Sequence, residues 1–139
     1  MRRLTKLSAV TAVAALALAG CGSSSGGSDG GKADKPSASK DICKTAKGSG
    51  PKIGLAYDVG GRGDQSFNDS AYVGLTKAVT EFKGSCVEGE ATNGEPESAR
   101  EDRLRQMADG GATAIIGVGF AYSDSVNAVA PDYPKVNFA

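Results

Sequence analysis

Three observations predict an α/β fold built on a doubly wound parallel sheet. Short apolar runs alternate with segments of helical period from Lys52 to the last residue. The runs lack polar/apolar alternation, the pattern of strands covered on both faces. Glycine-bearing loops follow the runs where a strand would turn into a helix, and strand–helix–strand units of this kind close a parallel sheet with right-handed crossovers.

The elements follow in order. Ile53 to Tyr57 is an apolar run ended by Asp58, and Gly60, Gly61 and Gly63 supply a loop that tolerates positive φ. Ser66 to Lys83 places Ala71, Leu75, Ala78 and Phe82 at helical spacing, with Asp64, Ser66 and Asn68 as candidate N-caps. Cys86 to Ala91 is a weak second strand, turned by Thr92-Asn93-Gly94. Glu95 to Asp109 is a charged helix with Pro96 in its first turn and Gly110-Gly111 at its end. Ala112 to Val118, centred on Ile115-Ile116, is the strongest strand. Tyr122 to Ala130 is a third helix closed by Pro131, and Lys135 to Ala139 is a fourth strand.

Before these elements the chain reads differently. Residues 1–20 have a basic start (Arg2, Arg3, Lys6) and an apolar run from Ala9 to Leu18, too short to span a bilayer and suited to a signal peptide. Leu18-Ala19-Gly20-Cys21 resembles a bacterial lipoprotein signal, which implies that Cys21 becomes the lipidated N-terminus and holds the protein to the membrane. Residues 21–51, rich in Gly, Ser, Lys and Asp, bury too little apolar surface to offset their ordering entropy and are expected to form a flexible tether. The folded part is then 52–139. An exported compartment permits disulfides. Cys43 precedes the first strand and Cys86 starts the second, and neighbouring parallel strands start at one sheet edge, so the two are expected to pair, the alternative being two free thiols. Closing that loop contributes about 4 kcal/mol on the chain-entropy estimate.

Composition narrows the function. There is no histidine, which removes the commonest general base and metal ligand, and Ser66 and Ser123 have no histidine partner for hydrolase chemistry. Formal charge is zero over the whole chain. Residues 1–20 take 3 of the 16 basic residues and none of the 16 acids, leaving 13 against 16, net −3. That balance offers no footprint for nucleic acid. Arg62-Gly63-Asp64 spells an adhesion tripeptide and Gly117-Val118-Gly119 part of a dinucleotide loop; neither has the context its motif needs. No cofactor, metal site or catalytic residue is expected.

In an open parallel sheet, ligands sit beyond the carboxyl ends of the strands, where strand order reverses. With strand one central and strands two and three beside it, the loops Asp58–Phe67 and Gly119–Asp124 flank one crevice. Each offers an acid (Asp58, Asp124) and an aromatic (Phe67, Phe120). A carboxylate accepts hydrogen bonds from hydroxyls or ring N–H groups, and an aromatic face stacks on a planar heterocycle. Two acids would repel a phosphate, so an uncharged hydroxylated ligand fits better than a nucleotide. Each residue also has a plainer role: Asp58 and Asn68 as caps, Phe67 and Phe120 as core, Asp124 as a helix-dipole partner.

LAYDVGGRGDQSFNDSAYVGL, IIGVGFAYSDS and DYPKVNFA, over Lys52 to Ala139, resemble the basic membrane protein (BMP) family, substrate-binding lipoproteins of ABC importers that include PnrA-like purine nucleoside receptors. The resemblance implies a two-lobed periplasmic-binding-protein fold of type I, of which this chain carries part of the first lobe. It also implies that Phe67 stacks on the base, Asp58 and Asn68 hydrogen-bond to it, and Asp124 holds the ribose hydroxyls. The implied partners are a nucleoside, a permease and ATPase, and the membrane through the anchor, with a monomeric full-length protein on its extracytoplasmic face. Two other readings stand beside this one: a sensory or regulatory surface lipoprotein, and a nucleoside-processing enzyme.

Overall fold

The computed structural model describes residues 41–139. The expected signal peptide (1–20), the lipidated Cys21 and the tether up to residue 40 lie outside the described residues. Four strands form one parallel sheet in the order β2-β1-β3-β4, with β1 Lys52–Tyr57, β2 Ser85–Glu90, β3 Ala114–Gly117 and β4 Asn137–Phe138. The strand-order reversal at β1 is the one expected, with β2 and β3 on either side.

Helices cover both faces. On one side α2 (Phe67–Glu81) lays Leu75 and Val79 against Ile53, Leu55, Tyr57, Cys86 and Val118. On the other, α3 (Glu97–Asp109) and α4 (Ser123–Val129) close Leu104, Met107, Ala108, Tyr122 and Val129 over Ala56 and Ile115. α3 is charged on most of its surface but keeps the narrow stripe Leu104, Met107, Ala108, the i, i+3, i+4 spacing that one helix face presents. Leu104, Ile115 and Val129 have no exposed surface, and each such side chain contributes about 1.5–3 kcal/mol of burial. Among the described residues, no helix is long and apolar enough to cross a membrane.

Two expectations are corrected. The tether expected over 21–51 gives way to folded structure from Asp41 onward. Ile42–Thr45 forms a short helix, α1, and Ile42, Cys43 and Ala46 pack on the α2-side core. Gly48 and Gly50 donate backbone hydrogen bonds to the carbonyls of Gly84 and Lys83. Low apolar content hid this, because the segment is held by a covalent bond and by backbone pairing. Cys43 and Cys86 are disulfide-bonded, with their Cα atoms 4.8 Å apart. The charged helix α3 also starts later than the expected Glu95: Pro96 is its N-cap, and the Glu95 carboxylate turns back to accept from the Thr92 N–H at 2.8 Å.

Candidate ligand-binding edge of the sheet

β1 and β3 are neighbours, and the Val118 N–H still donates to the Ala56 carbonyl at 2.8 Å, so both chains leave the sheet at the same edge. Asp58 follows two residues after Ala56, and Phe120 two residues after Val118. Gly119 takes φ 90°, a left-handed conformation that favours glycine. It also lies directly against the Asp58 carboxylate, where a side chain at 119 would overlap the carboxyl group. The two loops therefore meet at Asp58 and Gly119.

Phe67 opens α2 with 79% of its surface exposed, and Phe120 opens a 3-10 turn (Phe120–Tyr122) with 98% exposed. Neither is a core residue. Burying such a side chain contributes about 1.5–3 kcal/mol, so two bare phenylalanines at one sheet edge make it a candidate binding surface. Asp58 is half-buried; its Oδ1 accepts from the Val59 N–H at 2.8 Å. Asp124 is exposed in the first turn of α4, four residues beyond Phe120.

Asn68 is buried, and its amide clamps the end of β1: Oδ1 accepts from the Asp58 N–H at 3.1 Å, and Nδ2 donates to the Asp58 carbonyl at 3.4 Å. In this arrangement Asn68 holds Asp58 in place. Of the candidate caps, Asp64 does the work for α2: its carboxylate accepts from the N–H groups of Ser66 (2.9 Å), Asn68 (3.0 Å) and Asp69 (3.1 Å). Asp69 reaches back to the N–H groups of Gly63 (2.7 Å) and Gln65 (3.0 Å). With Asp64 occupied, and Arg62 bound within the molecule, the Arg-Gly-Asp tripeptide is a structural turn.

Two polar groupings stand behind this edge. In the first, Glu95 takes Arg103 in a bidentate pair, both contacts 2.8 Å. Arg103 donates to the Tyr122 hydroxyl at 2.9 Å, and that hydroxyl donates to the Tyr57 carbonyl at 3.3 Å. The Arg103 guanidinium holds the Glu95 carboxyl down to about 2. In the second, Arg62 lies 4.4 Å above the Tyr72 ring and pairs with Glu88 (3.5 Å) and Asp41 (3.6 Å), beside a cavity of about 390 Å³ lined by Asp41, Tyr57, Arg62, Glu88, Gly89 and Glu90. The Tyr57 hydroxyl donates to Glu88. Burial pushes the Glu88 carboxyl above the usual range, although Tyr57 and Arg62 pull it down. Burial, with Glu88, pushes the Tyr57 hydroxyl well up, so it remains a donor. Glu88 was the readable clue: a charged residue in the middle of a strand, opposite Leu55, requires a partner.

The model of the ABC transporter substrate-binding protein PnrA-like family (Bmp) matches residues 52–139. An uncharacterized lipoprotein of Pyrococcus abyssi is 37% identical over 89 residues, covering 63% of this chain and 21% of the relative. One of Pyrococcus furiosus is 38% identical over 97 residues, covering 67% and 23%. Among solved structures, an ABC transporter solute-binding protein of Aeropyrum pernix K1 shares 31% identity with TM-score 0.55, over 63% of this chain and 23% of that one. A transcriptional activator of the comK gene from Bacillus halodurans shares 26% with TM-score 0.52, over 63% and 28%. The chain thus spans about a quarter or less of the length of the curated relatives it matches. From Lys52 onward, the chain belongs to the PnrA-like (Bmp) family of ABC transporter substrate-binding proteins.

Proposed function

We propose that this chain forms one wall of the ligand cleft of a nucleoside-binding lipoprotein, which captures its ligand outside the membrane and hands it to an ABC permease. One observation carries the reading: Phe67 and Phe120 stand bare at the carboxyl ends of adjacent parallel strands, with the Asp58 carboxylate seated between their loops. Aromatic faces suit a planar base, and carboxylates suit ring N–H groups and vicinal hydroxyls, with Asp58 serving the base and Asp124 the ribose. Asn68 acts on the base only through Asp58, or through its remaining N–H. The protein performs no chemistry; a second lobe closes over the ligand. Lipidation of Cys21 keeps it on the extracytoplasmic face.

The deciding experiment is calorimetric titration of the full-length protein with purine and pyrimidine nucleosides, free bases and ribose. Tight binding of a nucleoside, weakened by Phe67→Ala and Asp124→Ala, supports the reading. Binding of a sugar or amino acid in place of any nucleoside overturns the ligand assignment, and release of free base overturns the absence of catalysis. For the anchor, a Cys21→Ser variant is expected to lose its lipid mass and leave the membrane fraction.

A second reading has one observation in its favour: the resemblance to the Bacillus halodurans protein described as a transcriptional activator. In that case the same cleft reports a ligand without importing it. Uptake of labelled nucleoside that persists in cells lacking the protein, together with altered transcription, favours this second role.

A further inference from the structure

The loop that carries Asp58 toward Phe67 has little intrinsic stiffness. Gly60, Gly61 and Gly63 all have positive φ, as does Gln65 at φ 52°. Its far end is tied down by Asp64 and Asp69, but its apex is tied elsewhere. The Arg62 side chain leaves the loop and seats in a cage built from three elements: the Tyr72 ring of α2 at 4.4 Å, Glu88 of β2 at 3.5 Å, and Asp41 at 3.6 Å. Arg62 is about one-third exposed, Glu88 and Asp41 less so. The cage is itself cross-braced. The Tyr72 hydroxyl accepts the Ile42 N–H at 3.2 Å, and Tyr57 donates to Glu88.

Two walls of this cage thus depend on Asp41 and Ile42, residues that precede the family-matched region beginning at Lys52. The Cys43–Cys86 disulfide fixes the segment beside β2 two residues before Glu88, together with the packing of Ile42 and Ala46 on the core. A disulfide restricts its neighbours' conformational freedom, and an arginine held over an aromatic ring and between two carboxylates is confined in position.

We propose that Arg62 is the positioning residue of the ligand loop, and that the disulfide-stapled segment Asp41–Ala46 acts as a strut that seats it. In this role the strut touches no ligand. It limits the excursions of the apex Val59–Gly63 and so presets the direction of Asp58. Breaking the staple frees Asp41 and Ile42, loosens Tyr72, and leaves Arg62 with Glu88 alone. The proposal rests on the reading of this loop as ligand-contacting, but its physical content is tested without ligand.

The test is hydrogen exchange of the full-length protein, resolved to peptides covering 58–66, with four variants: Arg62→Ala, Arg62→Lys, Asp41→Asn and Cys43→Ser/Cys86→Ser. Arg62→Ala is expected to raise loop exchange by on the order of tenfold, the combined effect of a cation–π contact and two partly buried ion pairs. Exchange in β3 and α3 stays unchanged, which a general loss of stability would not allow. Arg62→Lys restores part of the protection, keeping the charge without the planar stack. Removing the disulfide in an Arg62→Ala background adds little further loop exchange, because both act through one cage. Should the cysteine variant fail to fold, Asp41→Asn with the disulfide intact carries the same comparison. Loop exchange unchanged in Arg62→Ala, or fully additive effects, overturns the proposal. A nucleoside titration of the same variants reads the other hypothesis separately: raised loop exchange in a protein that binds no nucleoside leaves the strut standing and removes the ligand assignment.

Discussion

The two loops that leave β1 and β3 at the carboxyl edge of the sheet solve one problem by opposite means. Both must aim a phenylalanine at solvent from the end of a buried strand. The β3 connection does so with one left-handed residue, Gly119, and then buries Tyr122 to 1% exposure two residues after the exposed Phe120. Its anchor is a core side chain whose hydroxyl is also bonded on both sides. The β1 loop buries almost nothing of its own and is held by polar pins from Asp64, Asn68, Asp69 and the Arg62 cage. Burial ties a loop to the global stability of the domain, whereas half-exposed polar pins open locally at lower free energy. One loop is therefore rigid and the other adjustable.

The largest expected effect lies in the rigid loop. Tyr122→Ala is expected to cost about 3–5 kcal/mol of unfolding free energy, and Tyr122→Phe about 1–2 kcal/mol, both read from urea unfolding. A near-neutral Tyr122→Ala would break the contrast outright. Glu95→Gln comes next at about 1–3 kcal/mol, since it leaves Arg103 half-buried without its charge partner. The folded carboxyl sits at about 2, below its ordinary 4.5. Its contribution is therefore fully present above about 4.5 and is lost as pH falls toward 2. Wild type should lose stability across that window, and Glu95→Gln should show a flatter profile.

In the adjustable loop the effects shrink. Asp64→Ala removes the acceptor for three N–H groups at the start of α2, and is expected to cost about 1 kcal/mol, with increased exchange confined to that helix's first turn. An equal loss across the sheet would show that the loop is no local unit. The smallest change in stability belongs to Phe67→Ala and Phe120→Ala, each expected within about 0.5 kcal/mol of wild type because neither ring is packed. Their effect appears in ligand affinity, where losing a stacking face weakens binding by about 0.5–1.5 kcal/mol, roughly two- to tenfold. Strong destabilisation by either would return that ring to the core.

Much of this was readable in one dimension, where the physics is local. Continuous apolar runs mark strands covered on both faces, so Ile53–Tyr57 and Ile115-Ile116 were plain, and the alternation with helices sets a parallel sheet. Strand order puts the loops after β1 and β3 at one sheet edge, and Asp58, Phe67, Phe120 and Asp124 are the residues those loops and the helices after them carry there. The limit shows at Asn68: a polar residue opening a helix reads equally as a cap or a ligand contact, and only its burial reveals the clamp on Asp58.

The sequence by itself determined the four strands, the three longer helices from Phe67 onward, the order that puts β1 at the centre, and the residue types offered at the carboxyl edge of the sheet, because periodicity and turn chemistry act over a few residues. Only the tertiary structure decided what stands behind that edge. Arg103 reaches Tyr122 across 19 positions, Arg62 reaches Glu88 across 26, and Asp41 joins them from a stretch whose composition reads as tether. Ion pairs and hydrogen bonds of this kind have no period and no fixed spacing. They exist only once hydrophobic burial has packed the elements and brought their charges within reach.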